Sequence, residues 1–300
     1  MAALSDTAPA RETRLLRLWN EFRDSRVAVA ALGVVAVLAV LAAAAPWIAP
    51  QNPYDLAQLS ILDNMLPPGS RRLDGMIYWL GTDDQGRDLL SAILYGLRLS
   101  LLVAAAATAL GLAIGAAAGI VAAYVGGRID AAIMRIVDIQ LSFPTILIAL
   151  ILLAVLGKGV DKVVVALVLV QWAYYARTIR GSALVERRRE YIEAARSLAL
   201  SPARIMFRHL LPNAFPPLIV VATVQAAHAI SLEATLSFLG VGVPVTEPSL
   251  GLLIANGYSY MLSGLYWIAF YPGIALLVAI LAINLVGDRI AEIMNPRLRR

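Results

Sequence analysis

Asp138 and Glu233 are the two carboxylates set into long apolar stretches of this sequence. Ionisable groups in such places mark proton sites, ion pairs or ligand contacts. Asp138 sits at the edge of its stretch, three residues after Arg135, which fits a local pair or a group reaching water better than a proton site. Glu233 lies deeper, where a carboxylate can meet a partner subunit, hold the amino end of a peptide, or tie helices together. Gln171, Gln225 and His228 are further polar candidates for a water-lined pathway, with Gln225 and His228 three apart on one helix face. Plain hydrogen bonding between helices suits each of them as well. Covalent and metal chemistry has little to work with. There is no cysteine, only two histidines (His209 and His228), and no H-E-x-x-H. No G-x-x-x-x-G-K-[ST] phosphate loop occurs, and Gly157-Lys158-Gly159 lacks the hydroxyl residue. Asp83, Asp84 and Asp88 around Gly86 do not have the spacing of an EF-hand. The expectation is a chain with no catalytic residue, no metal and no cofactor of its own.

Composition says what must position these groups. Of 300 residues, 60% are hydrophobic and 15% charged, against about a quarter charged in soluble domains. The apolar excess has to face lipid, which excludes a disordered chain, a disulfide scaffold and an ordinary soluble enzyme. The net charge of +5 reads as loop arginines that set topology, not as a nucleic-acid surface. A polar tail of 26 residues precedes the first apolar stretch, which is too long for the core of a signal peptide.

Six stretches are read as bilayer crossings, the short one, 163–176, if the side chains of its flanking Lys162 and Arg177 snorkel. They are 27–54, with its helical part ended by Pro46 and Pro50; 99–127; 139–157, entered through Ser142-Phe143-Pro144; 163–176, a short one; 210–239; and about 265–286. Six crossings put both termini on one side. With the termini in the cytoplasm the inner segments carry 19 Lys and Arg and the outer ones six, so the positive-inside rule supports that orientation. The division is a tail over 1–26, a first helix plus outer segment over 27–98, a membrane core over 99–288, and a tail over 289–300. Gly111, Gly115 and Gly119 recur every four residues and give one helix a face that another backbone can approach closely. The amphipathic stretch 89–97 is expected to lie at the outer membrane surface.

Residues 177–213 form the longest inner connection. They read as two short helices, one over about 186–198 and one opening at Ser201-Pro202, a serine N-cap with proline at N1, and stopping near Leu211 ahead of Pro212. Ile205, Met206, Leu210 and Leu211 can line one face and Arg204 and Arg208 another. Such a pair suits a docking knob for a partner protein or an interfacial helix on anionic lipid, and periodicity leaves both open.

Glu193-Ala194-Ala195, with Leu211-Pro212 at the far end, resembles the EAA loop of permease subunits of ATP-binding-cassette importers. That pattern has a glycine six residues after the glutamate, where this chain has Ala199. The runs 208–213 (RHLLPN), 233–240 (EATLSFLG), 80–83 (LGTD) and 86–88 (GRD), and the closing Asn295-Pro296-Arg297, are similar to the dipeptide and oligopeptide branch, and to its C-type subunit. The resemblance implies an all-α polytopic protein of six transmembrane helices with the type I importer permease fold. It implies a second, B-type permease subunit, two cytoplasmic ATPase subunits that bind ATP and Mg, and an extracytoplasmic binding protein that delivers short peptides. The coupling loop, about 186–212, would touch the ATPase through Glu193, Ala194 and Ala195, with Arg196, Leu198, Ala199, Ser201, Arg204 and Arg208 nearby. The same branch also takes nickel, opines, glutathione and other small solutes. An ion-coupled transporter using Asp138 and Glu233 is the rival outside that family, and it would need no such loop. An intramembrane enzyme would need paired catalytic groups at one depth, and none is evident.

Overall fold

Hydropathy becomes helix wherever the chain crosses. The computed structural model describes residues 14–72 and 75–294, so the closing Asn295-Pro296-Arg297 and the outer parts of both tails lie outside the described residues. Helix α1 covers Arg14–Arg23 and α2 covers Arg26–Ile48. After a cap segment come α3 (Leu89–Val125), α4 (Gly127–Leu141), α5 (Thr145–Leu156) and α6 (Val160–Glu186). The loop contains α7 (Glu190–Ser197), α8 (Pro202–Arg204), a π turn over Ile205–Leu210, and α9 (Leu211–Ala214). Then follow α10 (Pro216–Phe238), α11 (Leu250–Tyr258) and α12 (Trp267–Met294). Among the described residues, helices α2, α3, α6, α10 and α12 are each long and apolar enough to cross a membrane, and α4 with α5, bent by 93° at their junction, passes the same test as a pair, which gives five crossings or six.

Several boundaries differ from the sequence reading, each for a local reason. Pro46 lies inside α2, two residues before its end at Ile48, so the helix runs just past the proline and leaves the Ala42 carbonyl without its usual N–H partner. The third crossing is not one straight span: Ser142-Phe143-Pro144 breaks it in two. The fourth is 27 residues long, because its flanking Arg177 and Arg180 stay within the helix and pair with α4. The fifth starts at Pro216, a proline in the first turn, and the apolar residues before it belong to the loop. The stretch 89–97 is not a surface helix. It forms the first turns of α3, opened by Asp88, whose carboxylate accepts from Ser91 N and Ser91 Oγ at 2.8 and 2.6 Å. Leu89, Ala92, Ile93 and Leu97 are buried against Ala42, Leu250, Leu253, Trp267 and Ile268.

The glycine face packs on α6. A Cβ on Gly115 would lie 2.3 Å from the Trp172 carbonyl oxygen, and one on Gly119 would lie 2.3 Å from that of Ala176. The two backbones therefore touch directly, as small-residue interfaces permit. At the other end, residues 49–72 and 75–88 fold into a cap over the start of α3. Asp83 Oδ2 accepts from Arg87 Nε at 2.6 Å with both side chains buried, and Gly86 has a φ of 72° with its Cα against the Ser60 carbonyl. Gln51 accepts from Asp88 N at 2.6 Å and donates its own N–H to Ser91 Oγ at 3.0 Å. A two-residue hairpin, β1 (Ser70–Arg71) on β2 (Ile77–Tyr78), places Tyr78 on Asp63 at 3.2 Å. Burial, then the Asp63 carboxylate, pushes that phenol up to about 12. Asp83 and Asp88 are thus engaged by an arginine and a helix end.

Valine at Gly115 or Gly119 forces α3 and α6 apart and should destabilise the protein by about 3 kcal/mol or more. Gly33→Ala, at a site with nothing within 4 Å of the added carbon, should be neutral or slightly stabilising. Thermal unfolding of the detergent-purified protein separates the two cases.

Candidate functional site

Residues 187–215 stand on the ends of α3 and α6 and are tied to both. Arg187 Nη1 donates to the Ala123 and Tyr124 carbonyls at 2.6 and 3.2 Å, capping the C-terminus of α3 where a cation is favoured. Arg196 lies 5.4 Å from the centre of the Tyr124 ring, a cation–π distance. Helix α7 carries Glu190 and Glu193 in its first turn and Arg196 in its last, matching its dipole. Tyr191 donates to Glu186 at 2.9 Å, and burial with that carboxylate pushes its phenol up to about 12.

The turn after α7 closes as a Schellman motif. Ala199 N donates to Arg196 O at 2.9 Å and Leu200 N to Ala195 O at 3.2 Å. Ala199 has a φ of 52°, so alanine holds the left-handed conformation that the family pattern gives to glycine. Ser201 Oγ then caps the next helix from Arg204 N at 3.4 Å, with Pro202 in its first turn as expected. That helix does not stop at Leu211. It widens into the π turn and runs through Pro212 to Ala214. Ile205 and Leu210 are five apart, which an α-helix would rotate by ~140°; the π turn returns both to the core side.

One core joins this loop to the membrane helices. Ile192, Ala195, Ile205, Leu210 and Ala214 pack with Ala116, Ile120 and Ala123 of α3 and Ile179 and Ala183 of α6. Ala195 therefore faces inward, away from any partner. Glu193, Ala194, Arg196, Leu198, Ala199, Ser201, Arg204 and Arg208 are exposed, Leu198 at 73%. Phe207, also exposed, and the capping Arg187 were not singled out from the sequence. The arginine run 187–189 directly after an apolar helix was the available signal for the latter.

Glu233, Gln171 and Asp138 find partners within the protomer, Gln225 lends only its carbonyl while its Nε2 stays without a partner, and His228 is exposed. Glu233 is fully buried; its carboxylate accepts from Ser100 Oγ of α3 at 2.6 Å and from Ser237 Oγ at 2.9 Å. Gln171 Nε2 donates to the Gln225 carbonyl at 3.1 Å, and both side chains are buried. His228 is exposed on the flank of α10, so it does not join Gln225. Asp138 pairs with Arg177 of α6, not with Arg135.

Ala199→Gly should relieve the left-handed alanine and stabilise the turn by up to about 1 kcal/mol, and Ala199→Val should destabilise it. Ala195→Asp puts an unpaired charge into the loop core and should loosen the whole segment. Amide exchange across 190–214 reads all three.

Residues 111–300 match the family described as binding-protein-dependent transport system inner membrane component. Residues 13–68 match the N-terminal TM domain of oligopeptide transport permease C. The di/tripeptide transport system permease protein DppC of Pseudomonas aeruginosa is 34% identical over 99% of this chain and 97% of its own length. The dipeptide transport system permease protein DppC of Escherichia coli K12 is 37% identical over 98% and 97%. A putative peptide transport system permease protein of Brucella suis is 40% identical over 85% and 82%. Among solved structures, an inward-facing conformation of the MetNI methionine ABC transporter shares the fold, with a TM-score of 0.55 at 21% identity over 69% of this chain and 98% of that one. With its bundle of membrane helices, its loop core and these matches, the chain belongs to the family of binding-protein-dependent transport system inner membrane components.

Proposed function

We propose that this chain is the permease subunit of an ATP-driven importer of short peptides, and that residues 193–204 dock a cytoplasmic ATPase subunit. The observation that carries the docking role is the contrast between the two faces of the loop. Its inner face is welded to α3 and α6, and its outer face offers Leu198 at 73% exposure, flanked by Glu193, Ala194 and Arg196. An exposed leucine with small neighbours and a charged rim has the make-up of an interface anchor. A push on that face moves the membrane helices with it. Relatives named for dipeptide and di/tripeptide transport, similar along nearly the whole chain, support the peptide substrate.

The full assembly on this reading contains a second, B-type permease subunit, two ATPase subunits that hold ATP and Mg, and an extracytoplasmic binding protein. On this reading the termini and the loop lie in the cytoplasm, which the arginine distribution supports. This chain hydrolyses nothing itself; the Gly157-Lys158-Gly159 fragment offers no complete phosphate cradle.

Glu193→Arg and Leu198→Asp leave the loop core untouched and should weaken ATPase docking by about 2 kcal/mol or more. Peptide uptake into proteoliposomes should fall at least tenfold while the chain still inserts and purifies with its permease partner. Wild-type, peptide-stimulated uptake by both variants refutes the docking role. Purification of the tagged chain from its own host without any ATPase subunit refutes the importer.

A further inference from the structure

The break between α4 and α5 leaves main-chain groups bare at mid-membrane depth. Gln140, at the end of α4, donates to the Leu169 and Val170 carbonyls of α6 at 2.7 and 2.9 Å and accepts from Trp172 Nε1 at 2.8 Å. Those partners lie ten or so residues below the start of α6, roughly 15 Å along its axis, with roughly 24 Å of helix remaining. The elbow 142–144 therefore lies beside the middle of the charge-free stretch of α6 between Lys162 and Arg177. Among the described residues, the carbonyls of Leu141, Ser142 and Phe143 accept no hydrogen bond, and the N–H groups of Thr145 and Ile146 donate none. Ser142, Phe143 and Pro144 are exposed on the protomer. Bare backbone of this kind is not tolerated against lipid; it occurs at membrane depth only inside protein or along a water-filled cavity.

The face of α4 that leads to the elbow is charged. Arg128, Arg135, Asp138 and Ser142 fall seven, three and four residues apart, on one stripe, and all are exposed. Arg177 of α6 reaches Asp138 on this stripe, and the pair remains 52% and 61% exposed. A stripe that carries three charged groups from the loop end up to a break with free main-chain donors and acceptors has the make-up of a hydrated wall.

We infer that the elbow 142–144 and the α4 stripe Arg128, Arg135, Asp138 and Ser142 line the translocation pathway, with Phe143 projecting into it at the break. This deepens the importer reading and rests on it for the identity of what passes. The free carbonyls and N–H groups meet a substrate's own amides and termini, so the contact at the elbow reads peptide backbone and not particular side chains. That suits a transporter that accepts many short peptides.

The chain contains no cysteine, so single cysteines report without background from it. Ser142→Cys, Phe143→Cys and Arg135→Cys are compared with Val40→Cys and Ile151→Cys, which are exposed apolar positions on α2 and α5. Each is assembled with its partner subunits in membrane vesicles and treated with a charged, membrane-impermeant methanethiosulfonate, with and without nucleotide. Mass analysis of the tagged chain gives the labelling rate. The three pathway variants should react at least tenfold faster than the two controls in one nucleotide state or the other. If Ser142→Cys and Phe143→Cys react no faster than the controls in either state, the elbow faces lipid or a covering subunit and the inference is overturned. Peptide uptake is measured on the same vesicles. Fast labelling in a complex that takes up no peptide supports the wall and refutes the substrate, whereas slow labelling in a complex that takes up peptide refutes the wall alone.

Discussion

The contact between α3 and α6 is the constraint on which the other features depend. Lipid tails are as apolar as the helices, so helix association in a membrane rests on close packing and not on burial from water. Gly115 and Gly119 allow the α3 backbone to rest on the Trp172 and Ala176 carbonyls. Both ends of α3 then become anchor points. At one end Asp88 opens the helix under a cap tied by Gln51, Asp83 and Arg87. At the other, Arg187 closes it and joins it to the loop. A 37-residue helix measures ~55 Å, more than the hydrocarbon layer needs. The surplus is what lets one element reach both the cap and the loop core.

Buried polar groups in this fold act as ties between helices. Glu233 joins α10 to α3 through Ser100 and supports its own helix end through Ser237. A carboxylate in that setting is retained only with its partners in place, because an unpaired one would be very costly. Gln171 performs a similar task between α6 and α10. The groups left open by the protomer are of another kind: His228 on α10, and Asp138 with Arg177 beside the elbow. The distinction separates residues that tie the bundle together from residues that the bundle leaves exposed.

Much of this was legible in the sequence, and the parts that were not share a cause. Five spans followed from length and apolar content, the glycine face from its four-residue period, and the Ser201-Pro202 helix start from cap chemistry. Pro144 was read as the entry to a span because proline marks a helix start as readily as a break. The chain breaks at Pro144, and Gln140, donating to carbonyls on α6 some thirty residues away, holds the α4 side of the 93° turn in place. Residues 89–97 have an amphipathic pattern, and Arg98 suggested a boundary; the partners that bury them, Leu250 and Trp267, are over 150 residues distant. Asp138 was read as reaching water or pairing with Arg135; it is 61% exposed, and its ion pair comes from another helix. The inward face of Ala195 could have been found from Ile192 three residues before it, the only large aliphatic on α7.

The loop and the elbow need no separate signal between them, because α6 is a wall of both. Ile179 and Ala183 near its end sit in the loop core. Arg177 and Arg180 hold α4 through Asp138 and Asp130, the latter by two bonds of 2.5 and 2.6 Å. Leu169 and Val170 hold the end of α4 at the elbow. Packed cores shift between discrete arrangements and do not deform smoothly. A displacement of α7 therefore carries the ends of α3 and α6, and α4 travels with α6 because three successive ties fix it there. The bend is held to α6 on its α4 side and free on its exposed side, so such a movement would be passed to the elbow.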